Sequence, residues 1–304
     1  MPRLIEPGPG EAIELAGLVA ALDAHPFDPR DEDSLADAGP LLARLGRNPR
    51  FLADLAIAEL KTRCAGQAAR SGYGGQSFVL EPANGRYLIR ANFWPARNDA
   101  VVRASGTAAF LYDMAHDHNF AFLTYGYLGP GYWSDYYERD PAAAAGVPGE
   151  HAGLRFIERS CLSHGKLMLY RARRDVHCQL PPDSFSVSLN VLAHDPAGPW
   201  IEQYRFDLAT GTVAGALSVA PAEALVTVAA GFGDGNGIDL AASFARRHPC
   251  PQMRVTALNA LVTAGAADPV ALLEAAADDP DRHVAGHARL RLAAISAVSD
   301  RVTA

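Results

Sequence analysis

Three histidines are the residues whose type and spacing best suit chemistry: His116 and His118 in Ala115-His116-Asp117-His118-Asn119, and His177 in Arg174-Asp175-Val176-His177. Side chains alternate along a strand with period two, so imidazoles two positions apart on one strand share a face. A third imidazole from a neighbouring strand would close a facial set of three neutral nitrogens. Such a set leaves coordination positions open for substrate and oxygen, which is the mark of a reactive metal site rather than a structural staple. The bland alternative is a histidine pair that packs or caps. Asp117 alternates to the opposite face and is expected to orient the loop.

The elements that must position these residues lie between 76 and 215, where the chain reads as short strands separated by turn signals. Ser77 to Glu81 and Arg86 to Phe93 flank Pro82-Ala83-Asn84-Gly85, a hairpin signal. Phe120 to Leu128 and Tyr132 to Glu138 flank Gly129-Pro130-Gly131, and Leu154 to Leu162 and Leu167 to Arg171 flank Ser163-His164-Gly165. Phe185 to Leu192 and Trp200 to Leu208 follow, with a turn at Ala209-Thr210-Gly211. Closely spaced antiparallel hairpins of this kind predict a small β-barrel or jelly roll.

The flanks read differently. Residues 1–75 form an N-terminal helical segment, with helices over 11–24, through 41–45 and from about Pro49 to Ala65, a break at Pro26-Phe27-Asp28-Pro29, and a change of texture at Gly72-Tyr73-Gly74-Gly75. Residues 216–304 read as helices over 221–230, 237–247, 251–264, 269–278 and 281–297. A weak repeat aligns Met253 to Leu258 and Leu261 with Val284 to Arg289 and Leu292, each copy after a proline-containing turn. The repeat resembles HEAT-type helical pairs, with an ordinary helical bundle as the alternative. The glycine-rich run Gly231 to Gly237 joins two helices, lacks the preceding strand of a nucleotide fold, and reads as a flexible linker or lid hinge. The expected fold is therefore α+β, with a small antiparallel β-barrel or jelly roll over 76–215 between two helical segments.

Composition narrows the function. The 304 residues carry a formal charge of -7 without a long Lys/Arg cluster, which disfavours nucleic acid as a partner. No apolar run approaches the roughly 18 residues needed to span a membrane, and the N-terminal stretch lacks the apolar core of a signal peptide. The expected location is the cytoplasm, where Cys64, Cys161, Cys178 and Cys250, with no CxxC spacing, would be free thiols. His283 and His287 are spaced as metal ligands on a helix but lack a neighbouring carboxylate pattern, and read as a helix surface.

A double-stranded barrel with His-x-His on one strand and a later His is the cupin pattern, and over roughly 85–195 the residues resemble thiol dioxygenases of the cysteine dioxygenase type. His116-Asp117-His118 matches that family's first motif and Asp175-Val176-His177 its third ligand. Ser186-Val187-Ser188-Leu189-Asn190 matches in part a Ser-Val-Ser-Leu-His strand, and Arg90 stands where an arginine grips the substrate carboxylate. The resemblance implies Fe(II) on His116, His118 and His177, with Arg90, Ser188 and Asn190 as catalytic residues. The departures are Asn190 and Leu192, where the family's relay has His and Tyr, and Leu123, near which some members carry a crosslinked cysteine.

Standard cupins add a glutamate after the second histidine; Phe120 to Leu128 offers none. A tight turn at Gly129-Pro130-Gly131 would pair Glu138 with Phe122, on the histidine face but about 13 Å along the strand from His118. Among the aromatics that follow the histidines (Tyr125, Tyr127, Tyr132, Trp133, Tyr136 and Tyr137), most are expected in the barrel wall and one beside bound oxygen. The sequence thus points to a mononuclear Fe(II) oxygenase acting with O2 on a small thiol acid or an amino-acid or peptide side chain. The alternatives are a 2-oxoglutarate-dependent hydroxylase, against which His118 counts because that class uses Asp or Glu there, and a non-enzymatic sensor or scaffold.

Overall fold

A computed structural model describes residues 2–25, 27–65, 75–265 and 268–303. The break expected over Pro26-Phe27-Asp28-Pro29 falls between the helices Leu15–Ala24 and Glu32–Asp37, with Pro26 itself outside the described residues, as are Gly72, Tyr73 and Gly74 at the expected change of texture. The chain divides into two compact units, Met1–Pro141 with Leu154–Gly198, and Ala142–Gly153 with Pro199–Ala304.

The first unit holds the strands β1 (Arg3–Ile5), β2 (Ser77–Glu81), β3 (Tyr87–Trp94), β4 (Ala115–His116), β5 (Phe122–Leu128), β6 (Trp133–Glu138), β7 (Arg155–Cys161), β8 (Leu167–Tyr170), β9 (Asp175–Gln179) and β10 (Ser186–Ala193). One sheet runs β1-β8-β5-β10-β3-β2 and a second runs β4-β9-β6-β7. The pairings within both are antiparallel. From β3 to β10 the chain alternates between the sheets, except at the β6–β7 step. Of the β-barrel and the jelly roll that the sequence leaves open, this is the jelly roll, built as two sheets with no closed barrel.

Two turns expected to close hairpins carry the chain from one sheet to the other instead. Gly129-Pro130-Gly131 joins β5 to β6, and Ser163-His164-Gly165 joins β7 to β8, and neither pair of strands is bonded together. The first crossing is tight. Gly131 has φ +84°, and a Cβ there would stand 2.1 Å from the Leu162 carbonyl oxygen. By contrast, Pro82 to Gly85 does close the β2–β3 hairpin, with Asn84 Oδ1 accepting from the Arg86 and Tyr87 amides.

Strand parity sorts the first sheet's side chains. Tyr87, Ile89, Leu123, Tyr125, Leu189 and Val191 pack against the helices α1 (Leu15–Ala24), α2 (Glu32–Asp37), α3 (Gly39–Gly46) and α4 (Phe51–Lys61), in a core with Leu18, Leu22, Leu42 and Leu45. Their neighbours Leu88, Phe122, Met168, Tyr170 and Leu192 face the other way and pack with Tyr132, Tyr136 and Leu162. Each fully buried side chain of this size contributes about 1.5–3 kcal/mol, so the interleaved parity is strongly specified. Helix α2 escapes the hydrophobic pattern because Asp31-Glu32-Asp33-Ser34 looks like a breaker. Asp31 is its N-cap, accepting from the Asp33 and Ser34 amides. A short α5 (Ala100–Ser105) follows β3.

The second unit contains a hairpin, β11 (Tyr204–Asp207) and β12 (Thr212–Ala216), closed at Ala209-Thr210-Gly211. Five helices follow: α6 (Pro221–Phe232), α7 (Gly235–Arg247), α8 (Pro251–Ala264), α9 (Pro269–Ala277) and α10 (Arg282–Thr303). Proline opens α6, α8 and α9, where its missing amide proton costs nothing. The glycine run expected to be a hinge is a short helix corner. Asp234 caps α7 through the Asn236 amide, and Gly237 lets that turn sit against the Ala229 carbonyl. The two repeat copies fall in α8 and α10, with Met253, Val255, Ala257 and Leu258, and Val284, Ala285 and Ala288, buried. Two such helices do not establish a HEAT-type solenoid. No described helix is long and apolar enough to cross a membrane. The four cysteines are unpaired.

Candidate metal centre

His116 ends β4 and stands opposite His177 of β9 in register. His118 lies just beyond β4 in a loop, so only one of the two expected strand positions is strand. The loop keeps the alternation because it is pinned on both sides. Asp117 turns away into an ion pair with Arg139 at 3.0 Å, both side chains fully buried. The His118 carbonyl accepts from the Arg173 amide at 2.7 Å.

The three imidazoles converge. The Nε2 atoms of His116 and His177 are 3.1 Å apart, and those of His118 and His177 are 3.2 Å apart. Nitrogens bound about 2.1 Å from one ion, roughly 95–100° apart, would be separated by about 3.1–3.2 Å. His116 Nδ1 donates to the Met114 carbonyl at 2.9 Å, which fixes the tautomer and leaves the lone pair on Nε2. Burial pushes all three imidazoles below their ordinary pKa, His118 and His177 well below. Neighbouring imidazoles add to this in His118 and His177, and the Arg90 charge adds further in His118. The residues are thus held in the neutral form that binds a metal, and one cation would serve three lone pairs that cannot all satisfy one another.

Among the described residues these three form the one cluster that could hold an ion. Glu138 is not part of it. Because β5 and β6 belong to different sheets, Glu138 does not pair with Phe122; it pairs with Arg155 and Asp175 and is bound by the Arg155 and Arg171 guanidinium groups at 2.5 and 3.0 Å. The Phe122 ring stands against His118 instead, 5.0 Å away.

An aromatic wall surrounds the imidazoles. Phe120 lies 5.0 Å from His118, Tyr170 lies 4.9 Å from His177, and Phe122 stacks on Tyr170 at 4.4 Å. The Tyr136 and Tyr170 hydroxyls are 3.0 Å apart, and Tyr136 stands opposite His177. Burial raises both phenols, Tyr136 to about 12 and Tyr170 well above its ordinary range, so both remain protonated. Of the other aromatics singled out in the sequence, Tyr132 faces inward, Tyr125 and Tyr127 join the helix-side core, Trp133 is exposed, and Tyr137 packs on Phe156.

Arg90, Asn190 and Ser188 lie on the same face of the first sheet. Arg90 is half-buried and opposite Asn190, which in turn is opposite Thr124. Ser188 sits about 7 Å further along β10 and accepts from the Trp94 indole at 2.9 Å. Sequence reading singles out neither Tyr170 nor Thr124 as site-facing. Their strand was legible, but which parity faces inward depends on which sheet the strand joins.

No protein-family model and no curated protein matches the chain. Among solved structures, similarity extends to one described as crystal structures of the DMSP lyases RdDddP and RnDddQII, at 12% identity over 66% of this chain and 82% of that one, with a TM-score of 0.26. It also extends to an uncharacterized conserved protein with a double-stranded beta-helix domain from Klebsiella pneumoniae, at 9% identity over 42% of this chain and 86% of that one, with a TM-score of 0.23. TM-scores this low support no functional inference. Strand order and imidazole geometry define the class: a cupin-like jelly roll with a candidate three-histidine metal centre.

Proposed function

We propose that this chain is a mononuclear Fe(II) oxygenase that uses O2 to oxidise a small thiol acid or an amino-acid or peptide side chain. The observation that carries the reading is the convergence of three neutral imidazole nitrogens with no carboxylate among them. When bound, iron supplies open coordination positions and redox chemistry toward dioxygen. The chain's own residues bind, orient and shield. Arg90, half-buried on the inner face, can grip a carboxylate with its guanidinium fork. Phe120, Phe122 and Tyr170 exclude water around the imidazoles. The Tyr136–Tyr170 pair, held as neutral phenols, donates a hydrogen bond beside His177, a role that Asn190 and Leu192 cannot take over from the relay of the thiol dioxygenases.

Oxygen uptake by Fe(II)-loaded protein with a panel of thiol acids and amino acids tests this. Uptake should require iron, need no 2-oxoglutarate and vanish in His177→Ala. Arg90→Gln should raise KM at least tenfold with a smaller change in kcat. Uptake that requires 2-oxoglutarate, or iron-loaded protein inert toward the whole panel, would contradict the reading.

A further inference from the structure

Two polar side chains inside the first unit are buried without a use in the fold. Thr124 and Asn190 are 1% and 2% exposed and stand opposite each other on β5 and β10. Thr124 Oγ1 and Asn190 Nδ2 have no hydrogen-bond partner. A buried donor left unsatisfied costs about 1–3 kcal/mol, and apolar residues of similar shape would avoid that cost. Both positions share the face of Phe122 and Leu192, about 7 Å along their strands from that pair, and the Phe122 ring touches His118 at 5.0 Å. On β3 the same row continues to Arg90, opposite Asn190. The row therefore presents a cation, an amide N–H and a hydroxyl side by side, one step beyond the Phe122 ring that stands against His118.

We infer that Thr124 and Asn190 set substrate specificity by donating hydrogen bonds to an acceptor oxygen that the substrate carries in addition to the carboxylate held by Arg90. Neighbouring strands lie about 4.8 Å apart, so donors on adjacent strands are bridged by a short acid. The substrate class is then a small organic acid with a second oxygen function, a hydroxy, oxo or second carboxyl group, in preference to a plain monocarboxylate. This rests on the oxygenase reading for the site's purpose, but not for the binding itself. A site that rejects analogues lacking the acceptor is expected, because its donors would stay unpaired.

Thermal unfolding of the full-length protein with lactate against propionate, and with succinate against butyrate, tests the inference without any turnover. The oxygen-rich acid of each pair should raise Tm more. Thr124→Val and Asn190→Leu should abolish that difference while leaving the ligand-free Tm equal or higher, because each removes an unsatisfied donor. Thr124→Ser, which keeps the hydroxyl, should retain the difference. Equal shifts within each pair in the wild type would overturn the inference, as would an intact difference in both apolar variants or a lower ligand-free Tm in Thr124→Val. Should Asn190→Leu fail to fold, the Thr124→Val and Thr124→Ser comparison decides alone. Failure of oxygen uptake with these binding results intact would remove the oxygenase reading and keep the specificity row.

Discussion

Asp117 shows how a single residue can matter to the candidate metal centre without being part of it. It separates His116 and His118 in sequence, points the opposite way, and locks the loop through its ion pair with Arg139 in a fully buried setting. Breaking a buried pair strands a charge and costs about 3–5 kcal/mol, whereas replacing both partners with apolar residues costs much less. Asp117→Ala should therefore lower unfolding stability in urea by roughly that amount, and the double variant Asp117→Leu with Arg139→Met should recover most of it. Equal losses in the single and double variants would show that the loop does not depend on the pair. The imidazoles themselves are tuned by the same physics: burial makes them neutral, and the Met114 carbonyl chooses the nitrogen that faces the cluster.

The elements add constraints that side chains alone do not reveal. The β5–β6 crossing works because Gly131 adopts φ +84° with the Leu162 carbonyl pressed against it. Gly131→Ala combines left-handed backbone strain with a backbone collision and should cost about 3 kcal/mol or more in chemical denaturation; a wild-type midpoint would show that the crossing has slack. In α10, burial lowers the pKa of His287 from 6.5 to about 4, with His283 adding to the shift. The folded state thus favours the neutral imidazole. Its contribution to stability is complete above about pH 6.5 and is lost as pH falls from there toward about 4. His287→Gln should flatten the Tm–pH curve of the chain in that window, while an unchanged slope would place the acid sensitivity elsewhere.

At the scale of the molecule, the fold's function is to bring together residues 61 positions apart, His116 and His177. The strands were legible in the sequence because alternation and turn residues mark them, and the helices of the second unit because prolines and apolar periodicity bound them. The histidine cluster was legible because two-residue spacing survives even in a loop when Asp117 is anchored. What could not be read was the order of strands in the sheets. A glycine-proline turn serves a hairpin and a sheet crossing equally well, so the sequence alone sets Glu138 opposite Phe122 and does not reveal that Thr124 and Tyr170 face inward. Ser188 was recognised on its strand, but its engagement by Trp94, 94 positions away, depends on tertiary contact. The most direct test is the metal content of protein purified anaerobically with iron supplied, in the wild type and in His116→Ala. One iron per chain in the wild type, lost in a variant that keeps its folded circular-dichroism spectrum, is the expected result; wild-type protein without metal would contradict the three-histidine centre on which the account stands.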